Sequence, residues 1–168
     1  MKWQAKTILI FLSTVAVIAG AQSSTKDGGS TQETQARGYW VDPSTGLMWT
    51  GKDNGKDVNW HKAVKYCRDL RLAGYSDWRL PTIDELQGIY DGSAPESLEP
   101  LPMGSRYVLY GRAKGGLSVQ GNYHWSSSQD PDDRGHPSGY VWQFDFPGGR
   151  RHHEHDSYDG RALCVRGL

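Results

Sequence analysis

Leu72-Ala73-Gly74-Tyr75-Ser76-Asp77-Trp78-Arg79-Leu80-Pro81-Thr82-Ile83-Asp84-Glu85-Leu86 is the stretch that decides the fold. Fifteen residues hold a helix exit, a tight turn, a Trp-Arg pair and the start of a second helix. Thr82 and Glu85 have the capping-box spacing, and Pro81 stands just before the cap. So much punctuation in so little chain implies a fixed connection rather than a floppy one.

Upstream, Asn59 caps a helix whose apolar positions are Trp60, Ala63, Val64, Cys67 and Leu70. The spacing i, i+3, i+4, i+7, i+10 makes one buried stripe, with Lys62, Lys65 and Arg68 on the wet side. Gly74 ends this helical region. The second helix runs from Ile83 to about Tyr90, and Gly92 stops it. Before the helices, Tyr39-Trp40-Val41 and Leu47-Met48-Trp49 read as short strands about the turn Asp42-Pro43-Ser44-Thr45-Gly46. After them, Ser93 to Leu101 reads as loop, and Arg106–Tyr110 and Asn122–Ser128 as strands. Gln129 to Gly139, rich in Asp, Pro and Gly, reads as loop. Tyr140–Phe146 alternates as a strand, Gly148-Gly149 turns, and Arg161–Arg166 closes the chain as a strand carrying Cys164. Helices early and antiparallel strands late predict an α+β fold, two helices packed on short antiparallel sheets with long loops.

The first residues read as export machinery. Lys2 and Lys6 flank the start, Thr7 to Ile18 is apolar, and Ala19-Gly20-Ala21 is a small-x-small cleavage site. The apolar run is short of the roughly 20 residues that span a bilayer. The expectation is a signal peptide over 1–21, a flexible Ser/Thr/Gln/Gly-rich linker over 22–36, and one domain over 37–168. That places the mature protein in the periplasm or outside a bacterial cell, with no membrane span after cleavage. Loss of Lys2 and Lys6 leaves 17 basic side chains against 19 carboxylates. This balance argues against nucleic acid as a partner. Seven Trp and nine Tyr against three Phe mean that the core leans on aromatics.

Cys67 and Cys164 are the chain's two cysteines. In an exported protein an even pair reads as a disulfide. No Cys-x-x-Cys is present, and two thiolates alone make a poor zinc site.

Five blocks occur in a fixed order: Gly46-Leu47-Met48-Trp49, Trp60 through Cys67, Gly74 through Thr82, Trp125-Ser126-Ser127-Ser128, and Cys164-Val165-Arg166. Together, over roughly Arg37 to Gly167, they resemble the family named for the C-terminal domain of the Legionella collagen-like protein, a domain of unknown function. The resemblance implies a C-type-lectin-like fold, in which a long disulfide joins the first helix to the last strand. It also implies kinship with formylglycine-generating enzymes. The chain departs from both patterns. Where calcium-dependent lectins follow their Glu-Pro-Asn loop with Trp-Asn-Asp, this chain has Trp125-Ser126-Ser127-Ser128, without carboxylate or amide. The reactive cysteine pair of the enzymes has no counterpart once Cys67 and Cys164 are joined.

Several constellations carry chemistry. Trp142 with Arg150, Arg151 and His152 reads as an aromatic and basic patch, since rings stack on sugars and guanidinium groups pair with sulfates or carboxylates. Asp77, Trp78 and Arg79 read as internal glue more than as a binding edge. His153 and His155 share one strand face and, with Asp156 or His136, have metal-ligand character; a solvated hairpin arm is the preferred reading, so no metal site is expected. Asp130, Asp132 and Asp133 begin like a calcium loop with Gly135 at its sixth position, but Val141 stands where the bidentate Glu belongs. Ser126–Ser128 lack a Gly-x-Ser-x-Gly frame. The sequence therefore reads as an exported, non-enzymatic binding module without a cofactor, taking glycans or polyanionic polymers. The alternative is a protein-interaction or envelope-structural domain.

Overall fold

The computed structural model describes residues 31–94, 97–100 and 107–167. The expected signal peptide, and positions 22–30 of the expected linker, lie outside the described residues. Among the described residues there are three α-helices: α1 (Thr31–Arg37), α2 (Trp60–Asp69) and α3 (Ile83–Gly88). The strands are β1 (Tyr39–Val41), β2 (Met48–Thr50), β3 (Ser97–Pro100), β4 (Tyr107–Tyr110), β5 (Tyr123–Pro131), β6 (Pro137–Asp145), β7 (Arg150–His155) and β8 (Val165–Arg166). They form two three-stranded antiparallel sheets, β1-β2-β8 and β5-β6-β7, and a β3-β4 ribbon. The fold is α+β.

The deciding stretch folds as its residues dictate. Leu72 and Tyr75 pair across a two-residue turn in which Ala73 and Gly74 both take positive φ, 53° and 82°. That geometry suits a tight hairpin turn. Thr82 Oγ1 accepts from the Glu85 N–H at 3.2 Å, and Glu85 Oε2 accepts from the Thr82 N–H at 2.7 Å. Both halves of the capping box are thus made. Arg79 grips the same Glu85 through two hydrogen bonds of 2.8 and 2.7 Å. Its backbone exchanges two 2.9 Å hydrogen bonds with Val165. Burial alone would raise the Glu85 carboxyl, but the Arg79 guanidinium and the Thr82 N–H outweigh it and hold it below its ordinary value. Trp78 is buried, and Asp77 accepts from Arg166 at 2.8 Å. Each of the trio is thus occupied in the fold, Trp78 by burial and the exposed Asp77 and Arg79 by ion pairs to Arg166 and Glu85.

Two apolar clusters fill the interior. Trp40, Trp49, Leu86, Ile89, Val119, Phe144, Phe146 and Leu163 anchor the first, beneath α3. Met48, Ala63, Cys67, Trp78, Leu80, Trp125, Val141 and Cys164 anchor the second, beneath α2. The sheet β5-β6-β7 serves both, because neighbouring strand residues point to opposite faces: Phe144 belongs to the first cluster and Val141 to the second. Cys67 and Cys164 are bonded, with Cα atoms 5.5 Å apart and 97 positions between them in sequence. The bond ties α2 to the residue just before β8.

Four readings need correction. Residues 31–36, expected as linker, form most of α1. Thr34 is buried, with its hydroxyl donating to the Gly115 carbonyl at 2.6 Å, and Gly38 N–H donates back to Thr34 O. Partners distant in sequence thus give this polar segment its helix. Gly115, with φ 66°, lies so close to Trp40 that a Cβ would sit 2.1 Å from the indole. Ser97–Pro100, expected as loop, pairs with β4. The supposed loop 129–139 shrinks to a hairpin turn, because β5 runs on to Pro131 and β6 begins at Pro137. There Asp132 Oδ1 accepts the N–H groups of Arg134 and His136 at 2.8 Å each and closes the turn. The final strand is only Val165–Arg166, since the residues before it make isolated bonds to separate elements, Arg161 to Tyr123 and Trp125 of β5, Ala162 to Asn54 and Cys164 to Thr50 of β2, rather than one continuous ladder.

Replacing Cys67 and Cys164 by Ser is expected to cost about 4–5 kcal/mol on the chain-entropy account of so long a loop. Thermal unfolding by circular dichroism should then fall by about 10–20 °C.

Candidate functional site

A concave surface runs along α2 and centres on Tyr66. One depression, of about 420 Å³, lies between α1, β2 and α2, lined by Gln35, Gly38, Thr50, Lys52, Tyr66, Leu70, Leu72 and Ser118 among others. A second, of about 520 Å³, follows the outer face of α2 past Asn54, Lys56, Val58, Lys62, Lys65, Asp69 and Arg71. A third, of about 420 Å³, opens over Lys52, Asp53, Asn54, Gly55 and Gln120. All three are lined by Tyr66, so they form one groove about its ring.

Helix periodicity explains the lining. The apolar stripe Trp60, Ala63, Val64, Cys67 turns inward, which leaves Lys62, Lys65 and Tyr66 outward. Asn59 Oδ1 accepts from Lys62 N at 3.0 Å and fixes the helix start. Trp60 pins that end to the sheet, its indole donating to Ser126 O at 2.8 Å. Burial and the nearby Asp53 carboxylate push the Tyr66 phenol above its ordinary value, so it stays neutral at physiological pH.

The groove is basic. Lys52, Lys56, Lys62, Lys65 and Arg71 line it. Asp69 is engaged by Lys65 and Arg68. Asp53 is buried and turned inward: it faces the fully buried His124 at 3.3 Å and Arg161 at 3.6 Å, and accepts from Gln120 and Gly55 N–H. Burial would raise the Asp53 carboxyl, but His124 and these backbone donors outweigh it and lower it. Among the described residues no carboxylate pairs with Lys52, Lys56 or Lys62.

The residues singled out from sequence fall elsewhere. In the β6–β7 register, Trp142 opposes His153, Phe144 opposes Arg151, Gln143 opposes His152 and Asp145 opposes Arg150. Alternation therefore puts Trp142 and Arg151 on one face and Arg150 and His152 on the other. The four do not make a single aromatic-basic patch. Arg150, Arg151 and His152 do line a cleft of about 310 Å³ with Tyr123 and Asp145, and Trp142 is not part of it. His152 stacks on Tyr123, with centroids 4.9 Å apart. Arg151 is bound to Asp84 and Gln87 of α3. Trp142 is stacked on His153 at 4.8 Å, and its indole N–H donates to Asp130 at 2.8 Å.

Asp130 also meets His153 at 2.7 Å, and Asp156 lies between His61 at 3.1 Å and His155 at 3.3 Å. Asp132 is spent on the hairpin turn. Among the described residues, no three His, Cys, Asp or Glu groups are arranged to hold a metal ion. The serines are occupied in the fold: Ser126 Oγ donates to Trp142 O, Ser127 Oγ to Pro81 O, and Ser128 Oγ accepts from Ile83 N at the start of α3. The α2 groove escaped sequence reading because its cations come from two segments, Lys52–Lys56 and Lys62–Arg71. The one visible signal was the wet face of α2.

A small α+β domain, stapled between an early helix and its closing strand and carrying a basic groove, is the class these observations define. The chain belongs to the Lcl C-terminal domain family, which matches it over residues 38–166. Among curated proteins none matches it.

Asp53→Asn should destabilise the domain by about 1–3 kcal/mol at neutral pH, because buried donors lose an ionised acceptor. The folded-state carboxyl lies below its ordinary value of about 4. Its contribution is therefore full above that value and is lost as pH falls through the lowered folded one. The gap between wild type and variant in urea unfolding should narrow below about pH 4.

Proposed function

We propose that this domain is a binding module for polyanionic polymers such as charged glycans, and that it binds them rather than transforming them. The observation that carries the reading is the α2 groove: five cations about an exposed tyrosine, with Lys52, Lys56 and Lys62 unpaired among the described residues. Lysine ammonium groups on flexible stems suit sulfate or carboxylate groups spaced along a polymer. The apolar floor of Tyr66, Leu70 and Val58 offers a stacking surface for sugar rings. The disulfide is consistent with an extracellular or periplasmic location, where such bonds persist and such polymers are met. A C-type-lectin-like ancestry accords with a helix joined by disulfide to the closing strand.

Fluorescein-labelled dextran sulfate, followed by anisotropy at pH 7.5 and low salt, tests the reading. The triple reversal Lys52→Glu/Lys56→Glu/Lys62→Glu should weaken binding by about tenfold or more, and added salt should weaken wild type likewise. Reversal of Arg150 and Arg151 to Glu should change it little at this pH. Equal binding by the lysine variant and wild type would reject the groove. No wild-type binding at all would leave the protein-interaction or envelope-structural reading standing.

A further inference from the structure

The groove about Tyr66 is divided in its chemistry. The depression along the outer face of α2 carries Lys56, Lys62, Lys65 and Arg71. The depression between α1, β2 and α2 carries a single cation, Lys52, beside an apolar floor of Tyr66, Leu70 and Leu72. Its volume of about 420 Å³ lies in the range of small-molecule sites. The Gln35 amide of α1 and the Ser118 hydroxyl also line it. Among the described residues, the side chains of Gln35, Ser118 and Lys52 make no hydrogen bond or ion pair within the fold. Three polar groups of different kinds are thus left to a ligand at the apolar end of the groove.

α1 walls this end, and it lies ahead of residues 38–166, over which the family matches. A polar helix of seven residues does not hold its shape alone. Its order comes from a seat inside the domain. Thr34 donates to Gly115 O at 2.6 Å. Gly51, just after β2, and Gly116 let the helix approach: a Cβ on Gly51 would stand 3.1 Å from Thr34 O, and one on Gly116 2.4 Å from Thr31 Cα. With α1 seated there, Gln35 and Tyr66 line one depression from two different helices. An aromatic and aliphatic floor takes the C–H face of a sugar ring, while an uncharged amide and a hydroxyl both donate to and accept from ring hydroxyls. Lys52 supplies the partner for one sulfate or carboxylate on that ring. A polyanion without rings has no use for the amide, the hydroxyl or the floor.

Resting on the reading that the groove takes polyanions, we propose that α1 is its specificity element: the helix completes a seat for one sugar ring beside Tyr66, so that the domain selects polyanions built of sugar units over polyanions of charge alone. The cations along α2 hold either kind of polymer. The α1 end adds affinity only for the kind that carries a ring. Because the ring touches Gln35 as well as α2, its binding also holds α1 on its seat.

The test uses the whole folded chain at pH 7.5 and constant low ionic strength. The probes are labelled dextran sulfate, a sulfated sugar polymer, and labelled poly(vinyl sulfate), which carries the same groups on a hydrocarbon backbone. Gln35→Ala/Ser118→Ala should weaken dextran sulfate about fivefold or more and poly(vinyl sulfate) less than about twofold. Thr34→Val, which removes the hydroxyl that seats α1, should show the same selectivity. Equal losses for the two polymers, or no loss for dextran sulfate, overturn the proposal. Hydrogen exchange of the wild type needs no variant: saturating dextran sulfate should slow the α1 amides, by reciprocity of linked equilibria, and saturating poly(vinyl sulfate) should not. The same exchange with either polymer contradicts the proposal. Absence of wild-type binding to both polymers overturns the polyanion reading and this one with it, whereas binding without selectivity overturns this one alone.

Discussion

The covalent bond between Cys67 and Cys164 is the constraint on which the rest of the structure depends. It joins the buried stripe of α2 to the chain just ahead of β8, across 97 positions of sequence. Both sulfurs lie within one apolar cluster with Met48, Ala63, Trp78 and Trp125. That cluster contains only a few aliphatic side chains, and a polar chain of mean hydropathy −0.68 has few more to give. Cross-linking limits the unfolded ensemble and so supplies stability that the core alone would lack. With α2 held in this way, Lys62, Lys65 and Tyr66 on its opposite face have one fixed relation to Lys52 and Lys56 on the neighbouring loop.

The second organising device is polar. Asp53 sits under that loop, with His124 of β5, Arg161 and two backbone N–H groups about its carboxylate. It anchors the loop on its inner side, so the cations flanking it stand outward. A carboxylate spent inside and lysines left outside make a basic groove on a chain of zero formal net charge. The same chain carries an acidic surplus in the segment Asp130 to Asp156, where six carboxylates stand against three arginines. How charge is distributed over the surface is a quantity that overall composition conceals.

Much of the framework was legible in the residues. The capping box at Thr82 and Glu85, the stripe Trp60 to Cys67 and the cysteine pair all rest on local rules or on covalent chemistry, and all stand in the structure. What failed depended on partners distant in sequence. Thr31–Arg37 is polar and unpatterned, yet Thr34 finds Gly115 and the segment folds. The Asp- and Pro-rich hairpin looked like loop, but the hydrogen bonds of Asp132 tighten it to a turn between long strands. The site suffered most. Trp142, Arg150, Arg151 and His152 are near neighbours along or across strands, but alternation divides them between two faces. Sequence proximity thus overstated their convergence, while the groove cations, split between a loop and a helix, gave no compact motif.

Everything here requires α2 to be tied to the closing strand. Proteolysis of the purified protein without reductant, after alkylation of any free thiol, followed by mass spectrometry, reads that tie directly. The account predicts one cross-linked peptide pair containing Cys67 and Cys164, resolved into two peptides by reduction. Quantitative alkylation of both cysteines before reduction would contradict it.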